Sequence, residues 1–158
     1  MPTQEELTRH TSHDTFVIER TYDAPVSRVF AAWASHEAKA AWFVMDADEE
    51  VVEGDYALDF RVDGLETASG GPTGGPVFAY EARYHDIVPD QRIAYTYVMD
   101  MDGRRISVSL AVIEFEAAGG GTKLTVTEHG VYLDMLDNVE ARRSGVSAQM
   151  DRLETTLG

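Results

Sequence analysis

The chain has 158 residues, and 13 Lys plus Arg against 28 Asp plus Glu give a net charge of −15. Hydrophobic residues make up 44 %, the balance of one globular domain and not of a disordered chain. The acidity argues against nucleic acid and against an anionic membrane surface, which need clustered Lys and Arg, and the absence of cysteine excludes disulfides, thiolate metal sites and cysteine nucleophiles.

Residues 1–13 (MPTQEELTRHTSH) contain one leucine and no periodicity, so they are expected to form a flexible tail ahead of a single domain over 14–158. The tail has no apolar signal-peptide core, and no apolar run approaches the ~18 residues of a membrane span, so a soluble cytoplasmic protein is expected. Thr15 to Tyr22 alternates, with Phe16 and Ile18 on one face and Val17 and Glu19 on the other, which predicts a strand. Pro25 is suited to a first helical position, and Val26, Val29, Phe30 and Trp33 follow at i, i+3, i+4, i+7 as one apolar stripe. Ser35 is placed to cap a second short helix through Phe43, with Ala38, Ala41 and Trp42 as its apolar side.

From Asp55 to His129 the signals are all β. Tyr56, Leu58, Phe60 and Val62 alternate with polar residues. Val77 to Val88 follows, closed by the turn Pro89-Asp90, and Ile93, Tyr95, Tyr97 and Met99 share one face of the next strand. Asp102-Gly103 is a hairpin signal, and Ile106 to Phe115 and Lys123 to His129 flank Gly119-Gly120-Gly121. The low-complexity stretch Ser69 to Pro76 (SGGPTGGP) reads either as a flexible connector or as a lid; it lacks the Lys-Ser/Thr of a phosphate loop. Helical spacing returns with Val139, Val146, Met150, Leu153 and Leu157. Asp137 and Glu140 resemble a capping box, while Gly145 allows a later start at Ser144. The predicted order is β-α-α-β-β-β-β-β-α, an antiparallel meander whose apolar face the last helix can cover, leaving room for a ligand between them.

The segment Phe16 to Phe43, FVIERTYDAPVSRVFAAWASHEAKAAWF, resembles the start of proteins like the activator of heat-shock-protein-90 ATPase, and more narrowly its bacterial single-domain relatives. The resemblance continues through Asp59 to Gly64, Tyr84 to Tyr97 and Gly121 to Asp134, and covers roughly residues 14–157. These proteins belong to the START-like, helix-grip superfamily, also called SRPBCC, which includes the birch-pollen-allergen fold. The resemblance implies an α+β helix-grip fold, a curved antiparallel sheet wrapped around a long C-terminal helix with a hydrophobic cavity between them. Gly145-Val146 departs from the glycine-tryptophan pair of many relatives and removes an aromatic from the cavity roof.

Three functions fit this reading. The first is binding of a small hydrophobic molecule (a lipid, polyketide or aromatic metabolite) by burial of apolar surface with one or two polar anchors. Trp42, Phe60, Tyr80, Met99 and Met150 are its candidate walls, and Tyr95, Tyr97 and Glu128 its anchors; Met135 is a further wall candidate. The second is a polyketide cyclase/dehydratase-like enzyme using Glu128 or His129 as acid or base with a tyrosine. If Leu124 and Val126 face inward, Glu128 does too, where it would have a raised pKa or pair with an arginine such as Arg61 or Arg83. The third is a chaperone-ATPase regulator or protein-interaction module, with a homodimer through a sheet edge as a further reading. The five histidines show no metal spacing, and a set of His85, His129 and Asp86 would need a coincidence of folding, so neither a metal nor a cofactor is expected.

Overall fold

The computed structural model describes residues 9–43 and 51–158. Among them, the chain runs β1 (Thr11–Tyr22), α1 (Val26–Ala34), α2 (His36–Phe43), β2 (Val51–Leu58), β3 (Leu65–Pro72), β4 (Phe78–Val88), β5 (Arg92–Met101), β6 (Arg104–Ala118), β7 (Gly121–Leu133) and α3 (Val139–Leu157). The strands form one antiparallel sheet in the order β1-β7-β6-β5-β4-β3-β2. β2 to β7 are a meander of neighbours, and β1 closes onto β7 across the chain. This curved sheet with a long terminal helix is the predicted α+β helix-grip architecture. No helix among the described residues is long and apolar enough to cross a membrane.

Alternation decides which face is covered. In β7, Leu124, Val126 and Glu128 are buried, and in β5 Ile93, Tyr95 and Tyr97 are buried. α1 seals one end of this concave face: Phe30 meets Phe115 at 5.3 Å and Phe60 at 5.8 Å, ring centre to ring centre and edge-on. α3 lies across β1 and α2, burying Met150, Leu153 and Leu157. Tyr22 donates to the Met150 carbonyl at 3.0 Å, and Arg152 donates to the Trp42 carbonyl at 3.0 Å, so α3 is tied to both neighbours.

Several elements differ from the expectation. The predicted order contains six strands and lacks β3. The first half of the SGGPTGGP stretch is strand, with Ser69 opposite Ala79 and Gly70 opposite Phe78, so it is neither a free connector nor a lid over that span. Backbone pairing to β4 overrides the weak β-propensity of its glycines. Phe60 and Val62 lie beyond the end of β2; Phe60 still packs inward, on Tyr84 at 5.2 Å, but Val62 is 47 % exposed. β1 starts at Thr11, so Thr11 to His13 pair with β7, and ahead of it Arg9 and His10 bond Asp134; residues 1–8 of the predicted tail lie outside the described residues. Pro25 is the N-cap of α1, its carbonyl accepting from Arg28 and Val29, and Ser35 caps α2 as expected through the Ala38 amide.

α3 is capped by Asn138, whose side chain accepts from the Ala141 amide, and not by Asp137. Gly145 does not interrupt it. The residue is exposed, has no positive φ, and a Cβ built there meets nothing within 4 Å. Gly145→Ala is therefore expected to stabilise the protein by about 0.5–1 kcal/mol, since it removes only unfolded-state freedom. Urea unfolding of the variant checks this, and a loss of stability would mean that α3 relies on a kink there.

Candidate ligand site on the concave face

The register sorts the inward side chains into layers across the sheet. Ile18, Val126, Ile113 and Ile93 make an apolar layer. The next holds Phe16, Glu128, Ala111, Tyr95 and Tyr84. Then come Gly130, Ser109, Tyr97, Ala82 and Glu66, and after them Tyr132, Ser107, Met99, Tyr80 and Ala68. The face thus grades from aliphatic to aromatic and polar. Tyr80 and Tyr97 lie 5.0 Å apart, and Tyr95 is 5.6 Å from Tyr84 and 6.1 Å from Tyr97, so tyrosine rings pave the middle strands.

Two buried charged clusters flank the tyrosines. The first centres on Glu128, which is 2 % exposed. Tyr97 donates its hydroxyl to Glu128 Oε1, and Arg142 Nη1 of α3 lies 3.9 Å from the same oxygen. Arg142 Nη1 also donates to Tyr97 Oη at 2.7 Å, while Nη2 donates to Ser107 Oγ at 2.8 Å and to Asp137. Burial pushes the Glu128 carboxyl up to about 7, against the opposing pull of Tyr97 and Arg142, with Asp137 adding to the rise. Both protein contacts of Glu128 use Oε1, leaving Oε2 without a partner among the described residues.

Beside this cluster, Ser109 Oγ and Tyr132 Oη are buried and have no hydrogen-bond partner among the described residues. They lie around Gly130, which faces Ser109 across the ladder. A Cβ on Gly130 would come within 2.5 Å of Tyr132 Oη, so the missing side chain is what lets the Tyr132 ring fold back over β7.

The second cluster joins α2 to β3. Lys39 Nζ lies 2.8 Å from Glu66 Oε2 and 2.9 Å from Oε1, and both side chains are fully buried. Tyr56 donates to Glu66 at 2.6 Å and Tyr84 at 2.9 Å, with Tyr80 Oη at 3.4 Å. Rings enclose the ammonium: Phe43 at 4.5 Å, Trp33 at 5.4 Å, Tyr95 at 5.7 Å and Tyr84 at 5.8 Å from their centres. Burial lowers the Lys39 pKa, and Glu66 acts against that fall. Burial and Glu66 together hold the Tyr84 and Tyr80 hydroxyls far above the ordinary tyrosine range.

The expected site residues are thus partly assembled. Tyr80, Tyr95, Tyr97, Glu128 and Met150 are buried on the concave side, and Met99 and Phe60 are half-buried against it. Trp42, expected as a wall, is fully buried in the core, where it donates to the Ala32 carbonyl at 3.0 Å and packs edge-on against Trp33. His129 alternates outward, is exposed, and bonds Thr15, so it cannot share the interior with Glu128. His85 bonds Thr96 on the same outer face, but β5 and β6 lie between its strand and that of His129, so the two do not meet in one metal set. Met135 is 80 % exposed and lines nothing. The arginine beside Glu128 is Arg142; Arg61 pairs with Asp59 and Arg83 is exposed. An open depression of about 270 Å³ lies on the convex face by Thr67, Glu81 and Val98, where Arg105 is already paired with Asp100.

Sequence reasoning missed Lys39, Glu66 and Arg142. A signal existed for Lys39, which stands one turn before Trp42 and so shares its buried face. Glu66 carried the opposite signal, since its neighbour Leu65 is the residue apolarity would turn inward, yet Leu65 is 43 % exposed.

The comparisons fit this geometry. The family model for "Activator of Hsp90 ATPase homolog 1-like protein" matches residues 23–158. An uncharacterised protein of known structure from Rhizobium leguminosarum is 44 % identical, with a TM-score of 0.89 over 95 % of this chain and 97 % of its own. A protein from Rhizobium loti is 36 % identical, with a TM-score of 0.85 over 94 % of this chain and 99 % of its own. A protein from Chromobacterium violaceum shares the fold at 23 % identity, with a TM-score of 0.75 over 90 % of this chain and 96 % of its own. Among curated proteins nothing matches.

Proposed function

We propose that this chain, which belongs to the family of Activator of Hsp90 ATPase homolog 1-like proteins, binds a small, largely apolar molecule between its sheet and α3. The observation that carries the reading is the Glu128 carboxyl, buried among Phe16, Ala111 and Tyr95 with one oxygen unused. Beside it Ser109 Oγ and Tyr132 Oη are buried without a hydrogen-bond partner among the described residues, which costs stability unless something satisfies them, and a bound molecule is one such partner. The tyrosine-paved face supplies the apolar contact area, at about 25 cal/mol per Å² of apolar surface removed from water, and Glu128 with Tyr97 fixes orientation.

Native mass spectrometry of the protein from its own host tests this. A mass retained in native spectra and lost on denaturation is expected, together with uptake of one molecule of the neutral dye Nile red per chain. Tyr97→Phe keeps the ring and removes the anchor hydroxyl, so it should lower occupancy several-fold. An apo spectrum from host-purified protein combined with no dye uptake would remove the basis for this reading.

A second reading has its own observation. A carboxyl pushed up to about 7 is poised for proton transfer, and Glu128 is linked through Tyr97 to Arg142. In a cyclase/dehydratase-like reaction Glu128 would take a proton next to a ketone while Tyr132, whose buried hydroxyl has no partner among the described residues, would donate toward the developing enolate. Glu128→Gln distinguishes the two: turnover needs the carboxylate, whereas binding tolerates the amide.

A further inference from the structure

We propose that the polar end of the concave face takes a neutral ligand bearing a hydroxyl, which it offers to Glu128, and rejects ligands that end in a carboxylate. This rests on the ligand-binding reading above and names the ligand chemistry of that same site.

Charge matching is the first argument. Arg142 brings positive charge to this end, but its Nη atoms are already given to Tyr97, Ser107 and Asp137. Asp137 matches its charge, and Glu128 stands 3.9 Å away as a second acid. At the far end Lys39 is matched by Glu66. An incoming anion would therefore be stripped of water beside a carboxylate without gaining a spare cation.

Hydrogen-bond roles are the second argument. An ionised Glu128 offers Oε2 as an acceptor, which calls for a donor. Ser109 Oγ and Tyr132 Oη, both buried and unpartnered among the described residues, can each donate. A ligand hydroxyl satisfies both demands, donating to Glu128 and accepting from Ser109 or Tyr132. A carboxylate can only accept, so it leaves Glu128 unsatisfied and adjacent to a like charge. The charged and titratable groups around Glu128 are Tyr97 and Tyr95 from β5, Tyr132 from β7, Arg142 from α3 and Asp137 from the turn before it.

Two probes with the same ring system, 2-naphthol and 2-naphthoate, isolate the polar group. Titration calorimetry with the intact chain at about pH 8, where Glu128 is mostly ionised, is expected to show 2-naphthol binding at least about ten-fold tighter. Glu128→Gln should strengthen 2-naphthoate and bring the two within about three-fold, a gain that misfolding cannot imitate. Ser109→Ala, which removes one donor to the ligand hydroxyl, should weaken 2-naphthol several-fold. Equal or tighter binding of 2-naphthoate to the unaltered protein, or a ratio unmoved by Glu128→Gln, would overturn the inference while ligand binding itself stands. Binding of neither probe, nor of naphthalene, would overturn the ligand-binding reading and this inference with it.

Discussion

Lys39→Met is expected to lower the unfolding free energy by about 3–5 kcal/mol, because it leaves the Glu66 carboxylate buried without a counter-charge. Tyr56 and Tyr84 would still donate to Glu66, but hydroxyls do not replace a full positive charge. The ring cage around Lys39 argues the same way, since the ammonium also fills the space between Phe43, Trp33 and Tyr95. The double variant Lys39→Met/Glu66→Leu should recover much of the loss, because a buried pair is often replaceable by apolar groups when both partners go together. A double-mutant cycle in urea reads the coupling directly. Coupling below about 1 kcal/mol would show that the pair behaves like an exposed one despite its burial.

Glu128 should make stability fall as pH rises across the neutral range. Its carboxyl sits at about 7 in the folded chain against 4.5 for an ordinary glutamate. A raised folded pKa means that the folded state holds the proton more tightly. The resulting stabilisation is complete below 4.5 and is lost as pH climbs through about 7. The full difference amounts to roughly 3 kcal/mol. Glu128→Gln keeps an acceptor for Tyr97 and cannot ionise, so its stability should lack this slope and exceed that of the unaltered protein at about pH 8. Unfolding curves of both proteins from about pH 5 to about pH 8 give the difference, in which other titrating groups cancel. Parallel curves would mean that Arg142 and Tyr97 compensate the buried charge fully.

These two sites also show what a chain without its fold conceals. Lys39 and Glu66 are 27 residues apart, on a short helix and a strand whose glycines disguise it, and each alone reads as a solvated charge. Burying either is tolerable only because the other arrives at the same place, and that is a property of the assembled sheet. Arg142 and Tyr97 are 45 residues apart, and Arg142 reads as part of a polar helix start. A strand arginine such as Arg83 is the partner the sequence suggests for Glu128, but alternation turns Arg83 outward.

What the sequence determined by itself was periodicity. The alternation of Leu124, Val126 and Glu128 put Glu128 inside, and the β5 alternation put Tyr95 and Tyr97 there with it. The helical spacing of Met150, Leu153 and Leu157 identified the cover, and the turn signals at Asp102-Gly103 and Gly119-Gly120 marked the meander. Those properties are local, because backbone geometry fixes which neighbours share a face. Tertiary structure alone decided which charges meet, that Trp42 is sealed in the core, and that Ser69 and Gly70 join a ladder. Such contacts depend on the register of distant strands and on where α3 docks, which no local period encodes.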